Sequence, residues 1–382
     1  MHDKAPIVIL GGGVTGFSIA YYLAKQGVKC QVIEMDSIGS KASGRASGNI
    51  ASPGLATIFF ATPFMERRAL MPYVDLCQES FLRHRQLAMQ LRVESGVDIQ
   101  YADATRLFVA LREEEEKELK ALLYEARSNC FEAGWLEADG LRVEGPWLTS
   151  EARGAVMVPQ DQLEPYRYVL ALAQAAEILG VKIMFRQATG FHCKGSRVTS
   201  IILSVGEGLE TDAVVIAMGP WSGQATSWLG TEIPLNIIRG QALRLKVEQR
   251  IPMYQFAYGG ISIAGKIDGS VLLGYLEDRP EGFNDNPTEE AKQTMIAGAI
   301  RLMPELNEAE VIETRSGLLA YTPDGVPILG HLPGWDNVYL ATGLGTIGIT
   351  LSPAVGRIMA DLIVNDRSGN LLEKLSPMRF GG

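Results

Sequence analysis

Residues 5–24 carry no charge and lie between Lys4 and Lys25. A stretch of that length and hydropathy can cross a bilayer or serve as a signal peptide. Its glycines argue against both. Pro6 and the run Gly11-Gly12-Gly13, followed by Gly16, break any continuous helix. The segment reads instead as a buried strand over 7–10, a glycine turn and a helix over about 15–25. Ile7-Val8-Ile9-Leu10 is the uninterrupted apolar run that a strand covered on both faces requires. Cys30-Gln31-Val32-Ile33 follows as a second strand ending at Glu34, so the chain opens as a βαβ unit. No other stretch reads as long enough to cross a membrane.

Gly11-x-Gly13-x-x-Gly16 sits between that strand and that helix. The first glycine permits the tight turn, the second lets a pyrophosphate approach the backbone, and the third lets helix and strand pack closely. Free N–H groups and the helix dipole then favour anionic phosphates. The spacing alone is a weak signal, since Gly343-x-Gly345-x-x-Gly348 also matches it. Glu34 strengthens the first copy: it lies about twenty residues beyond the second glycine, where a carboxylate can accept both ribose hydroxyls of an adenosine. A dinucleotide is therefore expected. The late glycine turn favours FAD over NAD, because a helix start there can aim N–H groups at a flavin pyrimidine.

The remaining chain of 382 residues fits one large α/β domain or two interleaved ones. Helices are expected over about 65–95, 112–127, 165–179, 288–302 and 352–364, continuous buried strands over 212–217 and 337–341, and antiparallel strands across 235–276. Buried-strand signals thus recur at the start, middle and end, with antiparallel signals between them. The net charge of −9 and the lack of basic runs exclude nucleic acid as a partner by bulk field. Cys30, Cys77, Cys130 and Cys193 show no CxxC spacing, and the histidines are His2, His84, His192 and His331. Neither a disulfide framework nor a metal site is expected, and the thiols suit a reducing, cytoplasmic compartment.

Several segments together resemble the FAD-dependent amine and amino-acid oxidoreductases of the glycine oxidase and D-amino-acid oxidase family. They are residues 8–24, Glu164-Pro165-Tyr166-Arg167, residues 214–222, Arg239-Gly240-Gln241, residues 322–328 and residues 341–349, in this order over almost the whole length. The resemblance implies an α/β fold: a Rossmann-like FAD-binding domain of the GR2 type over 1–85, 150–230 and 325–382, interleaved with a mixed α+β substrate domain over 86–149 and 231–324. It implies that Gly11, Gly13, Val14, Thr15, Gly16, Glu34 and Met35 hold the ADP half of FAD. Ala42, Ser43, Ser47, Gly48 and Asn49 would wrap the pyrophosphate and flavin edge, Thr189 would contact the adenine side through its backbone, and Gly219 belongs to the same cofactor set. Gly343, Gly345, Thr346, Ile347, Gly348 and Ile349 would line the flavin ring.

The implied reaction passes a hydride from the substrate α-carbon to flavin N5, giving an imine that hydrolyses in water. An alternative is a dehydrogenase subunit that hands electrons to an acceptor subunit instead of oxygen, as in opine or proline dehydrogenase assemblies. A non-catalytic flavin scaffold or tRNA-modification domain is a third reading, the tRNA option being disfavoured by the charge. The implied partners are a small-molecule amine or amino acid and, in the alternative, that acceptor subunit, within a homo- or hetero-oligomer.

The chain departs from the family at informative positions. The arginine that follows the Gly-Leu of residues 315–321 in glycine-oxidase-like members is Leu319 here, and a second arginine before the last glycine of the C-terminal turn is Thr346. No cysteine lies near residue 317, so the FAD is expected to be non-covalent. The lysine that some members place over the flavin falls at about Leu272. Candidate substrate-pocket residues are Arg45, Tyr258, Tyr275 and Arg315.

Overall fold

The computed structural model describes residues 6–56, 70–206, 208–248, 251, 253–280, 282–367 and 369–381. A six-stranded sheet forms its first layer, in the order Ile328–His331, Val338–Thr342, Ala213–Ile216, Ile7–Leu10, Cys30–Glu34, Lys182–Phe185. Ile7–Leu10 is central and parallel to both neighbours. Only the Ile328–His331 edge runs antiparallel. The sheet therefore draws on the start, middle and end of the chain, as the three apolar strand signals anticipate.

Helices Val14–Lys25, Leu70–Ser95, Pro165–Ile178 and Gly348–Asn365 build the main core on one face of this sheet, around Phe17, Tyr168, Leu172, Leu351 and Met359. The three-stranded sheet of Ala188–Lys194, Arg197–Leu203 and Leu209–Glu210 covers the other face. The part of the helix expected from residue 65 that precedes residue 70 lies outside the described residues.

A second, nine-stranded sheet runs Glu310–Tyr321, Asn236–Lys246, Val271–Pro280, Ile261–Gly265, Tyr254–Tyr258, Ala102–Ala110, Gly154–Gln162, Asn49–Ala51, with Gly134–Glu137 paired to Gly154–Gln162. Helix Glu289–Leu302 closes its outer face through Met295, Ala299 and Leu302. Strands Asn49–Ala51 and Gly154–Gln162 come from sequence segments grouped above with the cofactor unit, yet they pair in this larger sheet.

The C-terminal helix begins at Gly348, not near Ser352 as expected. Pro353 suggested a start just before it, but the proline is accommodated inside. Its missing N–H leaves the Ile349 carbonyl open, and His84 Nε2 (3.1 Å) and Ser352 Oγ (2.9 Å) donate to that oxygen instead. His84 Nε2 also meets Thr350 O at 2.9 Å. The expectation of no further membrane-length stretch needs correction. Gly345–Asn365 is long and apolar enough to cross a bilayer, and 72% of its apolar window is buried within the protein. It is a core helix by packing.

His84 is wholly buried, which pushes its imidazole down to about 4 from 6.5. An unfolded histidine gains its proton below 6.5, whereas the folded one resists until about 4. Stability is thus full above pH 6.5 and is expected to fall by up to about 3 kcal/mol between pH 6.5 and 4. Urea unfolding across that range should show this loss, and a His84→Gln variant should show a shallower one.

Candidate active site

A small cleft opens where the first two strands of the parallel sheet end. It is lined by Gly11, Gly13, Val14, Thr15, Glu34, Met35, Ala42, Ser43 and Gly219, all expected there, and by Arg186, Gln187 and Ala188. Gly11 has φ +108°, and a Cβ on it would stand 2.4 Å from the Ala217 carbonyl oxygen. A Cβ on Gly16 would stand 1.9 Å from the Gly11 carbonyl oxygen. Glu34 is fixed in place: Oε2 accepts from the Gly12 N–H at 2.7 Å, and Oε1 from the Asp36 N–H at 2.8 Å. Ser43 Oγ accepts from the Val14 N–H at 3.0 Å, closing the small-residue segment over the helix start. Thr189 is not in the lining; it is exposed, and its hydroxyl donates to Ile202 O.

Ala42 also lines a second, larger chamber of about 540 Å³. This chamber lies between the small-residue segment and the inner face of the nine-stranded sheet. Arg45, Ser47, Asn49, Tyr258, Tyr275, Arg315, Thr346 and Ile347 line it, as do Leu319 and Gly317. Positions 319 and 346 therefore face the chamber, with an aliphatic and a hydroxyl side chain. Thr346 Oγ1 accepts from Tyr321 OH at 3.2 Å. Gly48, Gly343, Gly345, Gly348 and Ile349 are not in the lining. At Gly348 an added Cβ would meet only Leu344, at an ordinary 3.6 Å, so this glycine is not required by neighbouring protein atoms.

Both candidate arginines are tied to the protein itself. Arg315 forks onto Glu313 at 2.6 and 2.7 Å, holding that carboxyl below its usual range. Arg45 donates to Ser316 O at 2.8 Å and lies 3.7 Å from Asp285.

Two residues escaped sequence reasoning. Arg106, 4% exposed, lines the chamber from strand Ala102–Ala110. Lys266, 2% exposed, donates to Ser47 O at 3.1 Å and Leu163 O at 3.4 Å and pairs with Glu164 at 3.1 Å. Leu272, the position expected for a lysine, is instead packed with Ala242 and Ala264. An inward charge interrupting an apolar strand was the available signal for Arg106. Among the described residues no group of histidine, cysteine and carboxylate side chains could hold a metal ion.

A glycine cradle, a carboxylate at ribose distance along the chain and an adjoining chamber fit a flavin dinucleotide. The sequence model described as "FAD dependent oxidoreductase" matches residues 6–362. This chain belongs to that family. The enzyme is 28% identical over 371 residues to a glycine oxidase of Geobacillus kaustophilus, covering 95% of this chain and 94% of that one. It is 26% identical to the hydrogen cyanide synthase subunit HcnC of Pseudomonas protegens, covering 95% and 93%. Among solved structures, the glycine oxidase of Bacillus cereus superposes with a TM-score of 0.87 at 27% identity, covering 97% of this chain and 98% of that one. The oxidoreductase thus has the FAD-dependent fold and cofactor that the motifs anticipate.

Proposed function

We propose that this oxidoreductase binds FAD non-covalently and oxidises an amine or amino acid. The observation that carries the reading is that Ala42 lines both cavities, so a dinucleotide cradle adjoins a chamber large enough for a ring system and a small substrate. Val14, Thr15, Glu34 and Met35 would hold the ADP half, and Ala42, Ser43, Ser47 and Asn49 the pyrophosphate and flavin edge. Bound FAD supplies the two-electron acceptor for a hydride leaving the substrate α-carbon. The protein's part is positioning and exclusion of water. Phe108, Ala257, Leu276 and Leu319 give the chamber apolar walls. Thr346 and Ile347 sit on its wall immediately before the start of helix Gly348–Asn365, whose positive dipole end favours negative charge nearby. The oxidised product, an imine, hydrolyses in water without a catalytic side chain.

The test is anaerobic mixing of the yellow holoenzyme with a panel of amines and amino acids. Bleaching of the flavin by at least one of them is the expected result. Acid precipitation should release the flavin into the supernatant; colour retained in the pellet would show a covalent link. Glu34→Ala should weaken FAD binding by about 1–3 kcal/mol, the worth of charged hydrogen bonds to the ribose, as read by fluorescence titration of apoprotein.

Free glycine is expected to reduce the flavin poorly. With Leu319 and Thr346 on the chamber wall, the usual arginine partners of a compact amino acid are missing, and a charge-assisted pair is worth about 1.5–3 kcal/mol. Glycine matching the best larger substrate in reduction rate over apparent affinity would overturn that reading.

A second reading has the reduced enzyme pass its electrons to an acceptor subunit. It is favoured by the likeness to HcnC, which is named as one subunit of a synthase. Turnover with a dye acceptor far exceeding turnover with oxygen supports it.

A further inference from the structure

Strand Ala102–Ala110 places Ala104, Arg106 and Phe108 on one face, since side chains alternate along a strand. Arg106 and Phe108 both line the large chamber, and the guanidinium lies 5.2 Å from the Phe108 ring centroid. Gln255 is the direct cross-strand neighbour of Arg106, and Gln160 stands opposite Ala104, so both amides share that face. Both glutamines are fully buried, and neither terminal N nor O of either has a hydrogen-bond partner among the described residues. Asn49, on the chamber wall, has a buried Oδ1 in the same condition. The chamber is thus flanked by buried polar groups around one guanidinium.

Among the described residues three arginines line the chamber: Arg45, Arg106 and Arg315. The side chains of Arg45 and Arg315 are 38% and 18% exposed, and each stands beside a carboxylate of the protein, Asp285 and Glu313. Arg106 sits in a much drier wall, where a charge pair is screened least. Burial lowers its pKa from 12.5 to about 10, so it remains a cation at neutral pH. A guanidinium has five N–H donors in a rigid fork, so it can take a carboxylate through two of them while keeping its other contacts. Glu118 lines the same chamber from helix Glu113–Ser128, so it offers negative charge as well, whereas the neighbouring Glu115 carboxylate is taken up by Arg112 and the Leu111 N–H. A zwitterion suits such a chamber better than a simple amine.

We propose that Arg106 is the carboxylate anchor of this enzyme, taking over from the positions occupied by Leu319 and Thr346, and that the substrate is therefore an amino acid whose carboxylate is held toward the Ala102–Ala110 strand. This rests on the proposed amine oxidation but is tested apart from it, because carboxylate binding can be read without turnover.

The experiment titrates the oxidised holoenzyme with acetate and benzoate and follows the visible flavin spectrum. In parallel, anaerobic flavin reduction is measured with proline and with pyrrolidine, which lacks the carboxylate. Replacing Arg106 in R106Q should weaken both carboxylates by about 10- to 100-fold, the range of a lost charged hydrogen bond. Pyrrolidine should change by less than about threefold, and FAD content should hold. Should R106Q fail to load FAD, R106K decides: it keeps the charge without the fork, and weaker carboxylate binding is expected with FAD retained. Wild-type carboxylate affinity in either variant overturns the anchor, as does equal weakening of pyrrolidine and carboxylates. If no amine or amino acid bleaches the flavin while R106Q still loses carboxylate binding, the proposed oxidation fails and the anchor stands.

Discussion

Gly16→Ala is expected to yield a protein that neither loads FAD nor unfolds cooperatively at the wild-type temperature. The new methyl would lie 1.9 Å from the Gly11 carbonyl oxygen, a backbone atom of the turn directly after the first strand, while Gly16 itself sits in the first turn of the helix. No flexible side chain can yield, so the helix must back away from the strand. Overpacking usually costs about 1–3 kcal/mol, and a backbone clash of this size belongs at or above the top of that range. Gly348→Ala provides the contrast. Its Cβ meets only Leu344 at 3.6 Å and its φ of −56° is helical, so no loss and a gain of up to about 1 kcal/mol are expected. Differential scanning calorimetry and the ratio of flavin to protein absorbance separate the two variants. Equal melting temperatures would show that the glycine turn is looser than its geometry indicates.

Lys266→Met should be the most destabilising change outside the glycine turn. The ammonium is almost fully buried, and desolvation pulls its pKa below the usual lysine range. It is retained because Glu164 and the carbonyls of Ser47 and Leu163 surround it. Methionine fills the volume but leaves Glu164 with Arg244, 3.5 Å away, as its remaining partner in that cluster. Breaking one side of a buried pair typically costs about 3–5 kcal/mol. Adding Glu164→Gln should restore part of that loss, because the stranded charge is removed. Urea titrations of the two single variants and the double variant measure the coupling; strict additivity would show that the pair does not act as one. FAD affinity should fall in Lys266→Met as well, since Ser47 lies on the chamber wall.

The parts of the fold that could be read from sequence are those set by short-range pattern. The run from Ile7 to Leu10, the glycines after it and Glu34 at the end of the next strand all lie within one βαβ unit, and Glu34 faces the cleft as the spacing requires. Strands Ala102–Ala110 and Gly154–Gln162 gave no such signal. Their inward faces carry Arg106, Gln160 and Gln162, so the apolar alternation that marks a half-buried strand is broken where the site needs polar groups. Lys266 looks like an ordinary charge beside the Asp268-Gly269 turn. Its partner carbonyl at Leu163 lies 103 residues away, beyond the reach of any local pattern. The start of the C-terminal helix was misplaced for a similar reason: the donors that relieve Pro353 include His84, 265 residues distant from Ile349.

The order of strands in the parallel sheet also bears on how the chain is made. Ile7–Leu10 leaves the ribosome well before one of its neighbours, Ala213–Ile216, which follows only after some 200 further residues, and that neighbour in turn awaits Val338–Thr342. Closure of such distant partners is slow, so a nascent chain must carry its glycine turn with an open sheet edge for most of synthesis. Cofactor capture is then a late event, and free FAD present during refolding should raise the yield by drawing off the final closed state. A chain stopped at residue 320 should neither retain flavin nor stay dispersed, although every residue of the Gly11-x-Gly13-x-x-Gly16 turn would be intact.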